Sequence, residues 1–313
     1  MTGINFIATW LPEEEMEVGD FFDLYAKENK KNKNLEEIKS YFAGKSGFNK
    51  IKIGEKYQLV DVFDSLVDKY IRKISPNLES IKYIIYTNSE SINTTDEKRI
   101  PNEIQNKYKL FNASIIEINQ QCGSCACAIA LAYKLLESNE RALIMSANMM
   151  HGISERYKPH SIISDGAAIM EIKGDNAKLQ ILDFQLKTRP YIGRIGFNKN
   201  LNMMKYCIKL IDNLLKANGL SKESISYMIH QNLNIEIYEI MFILLYGLTN
   251  TVFCWENVKK FGHVGDVDLI LNLEVLLKQK VLKDGDIIVL FAIGEIFSSV
   301  NCNSILLQFT ERV

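Results

Sequence analysis

Three cysteines fall within six residues of EINQQCGSCACAIALAYKLL (117–136): Cys122, Cys125 and Cys127, just before a strongly apolar helical pattern. They could form a metal cluster, a redox pair, a nucleophile with two bystanders, or plain core packing. CxxC spacing suits zinc, but zinc needs a second ligand pair. Cys207, Cys254 and Cys302 are scattered singly, and no further CxxC or HxxxH occurs, so no metal site is expected. A thioredoxin-like pair would place its second cysteine in the same opening helical turn, and Gly123, Ser124 and Ala126 instead read as small-residue packing. Cys125 and Cys127 are therefore expected to be small core residues on a buried helix. Cys122 differs. It follows the strand-like IIEINQQ (115–121) and opens the helix. Free N–H groups and positive potential at a helix start increase a thiol's thiolate fraction and can hold an oxyanion.

Of four histidines, His151 and His160 lie in MMHGISERYKPHSIISDGAA, which reads as surface loop. His230 ends a predicted strand and is a plausible site residue. His263 sits in FGHVGDVDLILNL, with Asp268 five residues on. If 263–268 is a tight turn into a helix, Asp268 can reach back, fix the imidazole tautomer and stabilise the imidazolium. Asp266 competes for that role, and either aspartate could simply be an N-cap.

The elements that must position these residues are legible as alternating strands and helices. Strand-like runs are INFIATW near the start, YIIYTN (83–88), ALIMSAN (142–148), AAIMEI (167–172), SYMIHQN (226–232), DIIVLFAIG (286–294) and SILLQF (304–309). Helical spacing covers Leu59–Ile74, Cys127–Leu136, Met203–Leu215, Ile235–Leu245 and Leu269–Leu277. This alternation predicts an α/β fold with a largely buried sheet.

A weak internal repeat organises the chain. LESIKYIIYTNSE (78–90) resembles KESISYMIHQNLN (222–234), an offset of 144 residues. The stretch 122–148 parallels 263–294 at an offset of 141. Two copies of one unit are expected, 1–172 carrying the cysteine and 173–313 carrying the histidine. Cys122 and His263 then occupy equivalent helix starts, which a pseudo-twofold axis would bring face to face as nucleophile and base.

Composition excludes other classes. With 37 basic and 38 acidic residues the net charge is −1, which offers no electrostatic grip on nucleic acid or a membrane surface. The basic run KENKKNKN (27–34) reads as a solvated loop or helix end. No stretch approaches the ~20 apolar residues of a membrane span, and the N-terminus lacks a signal-peptide pattern. Six cysteines without secretory features point to free thiols in the cytoplasm.

These motifs together resemble the thiolase-fold condensing enzymes, and among them the 3-oxoacyl-acyl carrier protein synthase III group. INQQCGSCACAIALAYKLL is similar to the nucleophile region, SDGAAIMEI (164–172) to the "GDGAGA" turn, GLSKESISYMIHQNLN to the segment ending "H-Q-A-N", and FGHVGDVD to that carrying "G-N-T-S-A-A-S". The resemblance covers nearly the whole chain. It implies a thiolase-like, duplicated αβαβα five-layered fold, usually dimeric, with Cys122 as acyl acceptor. The housekeeping enzymes use Cys-His-Asn, and here His263 takes the asparagine position. At "H-Q-A-N" two alignments compete. One uses His230 and leaves Leu233 in place of asparagine; the preferred one uses Gln231 and Asn234, with Gln231 in place of histidine.

The set Cys122, His263 and Asp268 in "G-H-x-G-x-x-D" resembles a divergent subgroup of secondary metabolism that transfers acyl groups to alcohols, amines or carrier proteins. The segment YFAGKSGFNKIKI (41–53) lacks the Trp and Arg that clamp the coenzyme A adenine, which favours delivery by acyl carrier protein. A second oxyanion donor is expected near Gly294, and Glu295 beside it departs from the family pattern. No tightly bound cofactor is implied, only the acyl thioester of coenzyme A or phosphopantetheine. A homodimer, or a heterodimer with a related subunit, and a small-molecule acceptor are the expected partners. Fatty-acid initiation by decarboxylative condensation, or a non-catalytic helper subunit, are the alternatives; retention of Cys122 argues against the helper.

Overall fold

Strands buried on both faces read as almost unbroken apolar runs, and the runs at 81–88, 141–148 and 166–173 form such strands in the structure. The structure is a computed structural model that describes residues 1–29, 34–89, 99–190, 197–296 and 299–311. Ten strands make up the main sheet: β1 (Gly3–Trp10), β2 (Ile81–Asn88), β3 (Ser114–Ile118), β4 (Arg141–Asn148), β5 (Gly166–Lys173), β6 (Leu179–Pro190), β7 (Ile225–His230), β8 (Val252–Phe253), β9 (Ile287–Ile296) and β10 (Ser299–Phe309). Their order is β8-β7-β9-β10-β6-β1-β5-β4-β2-β3.

That order is one pattern used twice. The first five strands run 3-2-4-5-1, and the second five repeat it. The directions repeat too. In each copy the second strand pairs parallel with the third and fourth. The fifth pairs antiparallel with the fourth and first. The copies meet through a short antiparallel contact of β1 with β6, Gly3 opposite Gln180 and Ile4 opposite Leu179. The thiolase-like duplicated α/β fold expected from the sequence is therefore present.

Four long helices complete the layers: α1 (Leu59–Ile74), α2 (Ser124–Leu135), α3 (Phe197–Ala217) and α4 (Asp268–Gln279). α1 places Val62, Phe63, Leu66, Val67 and Tyr70 on one buried stripe, the spacing of a helix on a single sheet face. They pack with Ile84, Tyr86, Met145 and Ile169 of the first copy. α3 covers the outer face of the second copy, with Leu210, Ile211 and Leu214 against Met228, Val289 and Leu306. α2 and α4 lie in the middle, in one apolar cluster that includes Ile144 and Met170 of one copy and Leu290 and Ile305 of the other. A helix between the two halves of the sheet has no solvent face, and Ser124 through Ala130 of α2 are all buried. The small residues of SCACAIALA let both halves approach it.

The differences from the expected elements have local causes. α2 begins at Ser124, three residues before the expected start. The amphipathic strand β6 was not anticipated, because LQILDFQLKTRP buries few of its residues. Helices at Val18–Glu28, Leu35–Gly44, Ile100–Lys107 and Trp255–Phe261 lie outside the expected elements, although Val18, Phe21, Phe22 and Tyr25 of the first follow a helical period. The helix expected over Ile235–Leu245 keeps α geometry only to Tyr238 and continues as a π-helix over Glu239–Leu245. Residues 30–33 of the basic run lie outside the described residues. No helix among the described residues is long and apolar enough to cross a membrane.

Because α2 is enclosed on every side over Ser124–Ala130, Ala128, fully buried, has no room for a larger side chain. Ala128→Leu is expected to lower unfolding free energy by roughly 1–3 kcal/mol, measured by urea denaturation. Lys69→Leu on the exposed face of α1 serves as the near-neutral control.

Candidate active site

Cys122 leaves the strand β3 through a turn in which Gln121 has φ 51°, a left-handed conformation rare outside glycine. The Gly123 N–H donates to the Gln120 carbonyl at 3.1 Å, and the Ser124 hydroxyl donates to the Gln121 carbonyl at 2.6 Å. Cys122 thus stands half-buried at the head of α2. Its Sγ is 3.2 Å from His263 Nε2. The other ring nitrogen, His263 Nδ1, is 2.5 Å from Asp268 Oδ2. The three residues form one line, thiol to imidazole to carboxylate, across the boundary between the two copies.

The histidine is held from the opposite copy, and the aspartate from its own. The backbone of His263 is pinned to the chain before β5. Its N–H donates to the Ile162 carbonyl at 3.1 Å, and its carbonyl accepts from Ser164 N–H at 2.8 Å. Gly262 precedes it at φ 66°, and a side chain there would meet Ser164 Oγ at 2.6 Å, so this turn requires glycine. Ser164 opens the SDG turn, whose Asp165 is gripped by both Nη groups of the fully buried Arg156, at 2.9 and 2.8 Å. Asp268 also accepts from Val264 N–H at 2.8 Å and Asn232 N–H at 2.7 Å. The second of these depends on Asn272, which donates to the His230 carbonyl at 2.7 Å and to Asn232 Oδ1 at 2.9 Å.

The electrostatics follow from this arrangement. Burial alone would push the His263 imidazole down, but the charge of Asp268, then that of Cys122, and hydrogen bonds to both outweigh it and raise the ring to about 10. The ring is therefore held as imidazolium through the neutral range. Cys125 and Cys127 contrast with this. Burial pushes Cys125 well above the usual thiol range, and it pushes Cys127 up to about 12. Both are core residues of α2.

The two alignments of the HQ segment now separate spatially. His230 is fully buried in an aromatic cage, with ring centroids 4.4 Å from Tyr238 and 4.7 Å from Trp255. Its Nδ1 bonds to the Gln231 carbonyl at 2.6 Å, and burial depresses the ring to about 4. This neutral histidine packs away from the thiol–imidazole line. Gln231 reaches the line instead. Its Nε2 donates to the Cys122 carbonyl at 2.5 Å, while its Oε1 accepts from Ile293 N–H at 2.7 Å. Asn234 caps the following helix, accepting from Glu236 N–H at 3.0 Å, and donates to the Tyr41 hydroxyl.

Gly294 lies on β9 against the Cys122 turn, where a side chain would meet the Gln120 carbonyl at 2.2 Å. Its neighbour Glu295 is exposed, and its charge partly offsets the lowering of His160 by burial. Sequence reasoning missed Arg156, Asp165, Asn232 and Asn272, whose partners are all distant in sequence or backbone atoms. The Asx-Gly turn of SDG was the one signal that pointed to any of them.

Residues 215–300 match the family model of the 3-oxoacyl-[acyl-carrier-protein (ACP)] synthase III C terminal. A beta-ketoacyl-[acyl-carrier-protein] synthase III of Wolbachia pipientis wMel is 23% identical over 266 residues, covering 76% of this chain and 80% of that protein. Among solved structures, ChlB3, described as an acyltransferase, aligns with a TM-score of 0.80 at 17% identity, over 99% of this chain and 98% of that one. The 3-oxoacyl-[acyl-carrier-protein] synthase III of Aquifex aeolicus VF5 aligns with a TM-score of 0.77 at 15% identity, over 99% and 100%. The fold is that of these thiolase-type proteins, and the resemblance to the synthase III group read from the sequence is upheld.

Asp268 is 0% exposed and accepts three hydrogen bonds. Asp268→Ala, which orphans a buried imidazolium, is expected to cost about 3–5 kcal/mol. The folded His263 value lies above the ordinary 6.5. The pair's contribution to stability is therefore complete near pH 6 and is lost as pH rises through about 10. Urea denaturation of wild type and Asp268→Asn at pH 6, 8 and 10 should show the gap narrowing with pH; a widening gap contradicts the assignment.

Proposed function

We propose that this protein is an acyltransferase of secondary metabolism that loads an acyl group from a carrier-protein or coenzyme A thioester onto Cys122 and passes it to an alcohol, amine or carbon nucleophile. The observation that carries this reading is the line Cys122 Sγ, His263, Asp268, at 3.2 and 2.5 Å, beside Gln231 with both ends of its amide engaged. The site thus holds one base with an orienting carboxylate.

The steps balance around that base. With the proton already on His263, the Cys122 thiolate attacks the thioester carbonyl. Backbone N–H groups of Cys122 and Gly294 would hold the oxyanion. As the tetrahedral intermediate collapses, the leaving thiol takes the proton from His263, and acyl-Cys122 remains. The acceptor O–H or N–H then gives its proton to His263 while its lone pair attacks the acyl carbon. Cys122 departs with the pair of electrons as the thiolate, beside the imidazolium that now carries the acceptor's proton. Asp268 steadies the ring's charge in both halves of the cycle.

Delivery by carrier protein is favoured by the segment 41–53, which offers no Trp or Arg for an adenine. Its Tyr41 is engaged with Asn234 and with Glu236, the latter at 3.1 Å. The second reading, decarboxylative condensation in fatty-acid initiation, is favoured by the names of the synthase III relatives. It needs two hydrogen-bond donors for an enolate oxygen, and the Gln231 amide is already spent on backbone.

Intact-protein mass spectrometry tests the reading. Acyl thioesters should add one acyl group to wild type and none to Cys122→Ala; acylated Cys122→Ala would sink it. His263→Ala should lose turnover by roughly 10²–10⁴-fold, with acyl-carrier protein loading faster than acyl-coenzyme A. Turnover that demands malonyl-carrier protein and releases carbon dioxide would instead establish the condensing reading.

A further inference from the structure

The 141-residue offset that relates Cys122 to His263 also relates Cys125 to Asp266 and Cys127 to Asp268. Where the first copy has two thiols, the second has two carboxyls. Asp268 serves His263. Asp266 has no part in that line, yet it is 1% exposed. Its Oδ1 accepts from the Cys125 N–H at 3.1 Å. A residue of the second copy therefore caps the first turn of the helix that carries the first copy's nucleophile. Its other oxygen, Oδ2, is buried with no hydrogen-bond partner among the described residues. The Ser124 hydroxyl nearby is taken up by the Gln121 carbonyl and the Gln120 N–H.

We propose that Asp266 is a positioning residue for Cys122: it holds the first turn of α2 from across the copy boundary, and its charge sets the reactivity of the thiol at the head of that helix. The role of Cys122 as the acylated residue is taken from the function proposed above. An ionised Asp266 cancels part of the positive potential at the start of α2 and so disfavours an anionic sulfur there; a neutral Asp266 leaves that potential intact. Its charge already acts on this helix, raising both Cys125 and Cys127.

The carboxyl is placed to change state in the neutral range. Burial raises it to about 7, against the opposing pull of the Cys125 N–H and, at longer range, Ser124 and Thr87. Around it, α2 contributes the titratable Cys125 and Cys127, and its own segment contributes His263 and Asp268. β2 presents Thr87, which does not titrate, and Asn148 of β4 lies against the adjacent Gly265. Of the charged residues of β4 and β5, Arg141 and Glu171 are paired with each other, and Lys173 is paired with Asp175.

The test is the rate of Cys122 alkylation by iodoacetamide between pH 5.5 and 8.5, followed by peptide mass spectrometry in wild type and Asp266→Asn. The ratio of variant to wild-type rate should rise from near one at pH 5.5 to roughly three- to tenfold at pH 8.5. A ratio constant across the range overturns the proposal, because a purely structural role would not follow pH. Asp266→Ala, which also removes the acceptor for Cys125 N–H, should melt below Asp266→Asn; equal melting temperatures overturn the capping half. Should Asp266→Asn fail to fold, the wild-type rate alone must bend near pH 7, and a profile without that bend is equally decisive. Absence of acyl loading alongside the expected alkylation contrast would sink the acyl-transfer reading and leave this one standing.

Discussion

The structure turns on a single contact: Cys122 Sγ against His263 Nε2 at 3.2 Å, made between two copies of one folding unit. Neither copy holds both groups. A thiol at a helix start and an imidazole at the equivalent start become a reactive pair only if the copies pack with their central helices together. That packing is set by α2 and α4, which lie between the two halves of the sheet in one apolar cluster. The position of the nucleophile relative to its base is thus a consequence of core packing, which tolerates little displacement.

Charges placed in such a core are expensive unless each is paired. The site meets this condition within the second copy. His263 is neutralised by Asp268, and Asp268 is saturated by Val264 and Asn232. Gln231 ties the Cys122 carbonyl to β9. Glycine at 294 lets β9 approach the cysteine turn within the space a side chain would fill. Asp266 is the exception, a buried carboxyl with one oxygen unpaired.

Much of this was legible in the sequence, for physical reasons. Cys122 stood out because a strand ended and a buried helix began around it. The repeat carried the argument to His263, since residues at equivalent points of a duplicated fold must face each other near the pseudo-twofold axis. Asp268 was reachable because a tight turn returns a side chain five residues back. What stayed hidden depended on long-range geometry. The capping of α2 by Asp266 joins residues 141 apart. The fate of His230 depended on which face of β7 meets the aromatic residues of 238–255, and one histidine in an apolar run does not disclose that. Strand β6 escaped notice because half-exposed strands alternate weakly.

The central claim is that the pairing with His263 makes one of six thiols reactive. Limiting iodoacetamide at pH 7, with each cysteine followed by peptide mass spectrometry, measures this most directly. Cys254 is the informative competitor, since it too is only partly covered by its surroundings, yet burial pushes its thiol up to about 12. The account predicts that Cys122 is labelled first by a wide margin and that His263→Ala removes the margin. Labelling of Cys254 ahead of Cys122, or an unchanged Cys122 rate in His263→Ala, would contradict it.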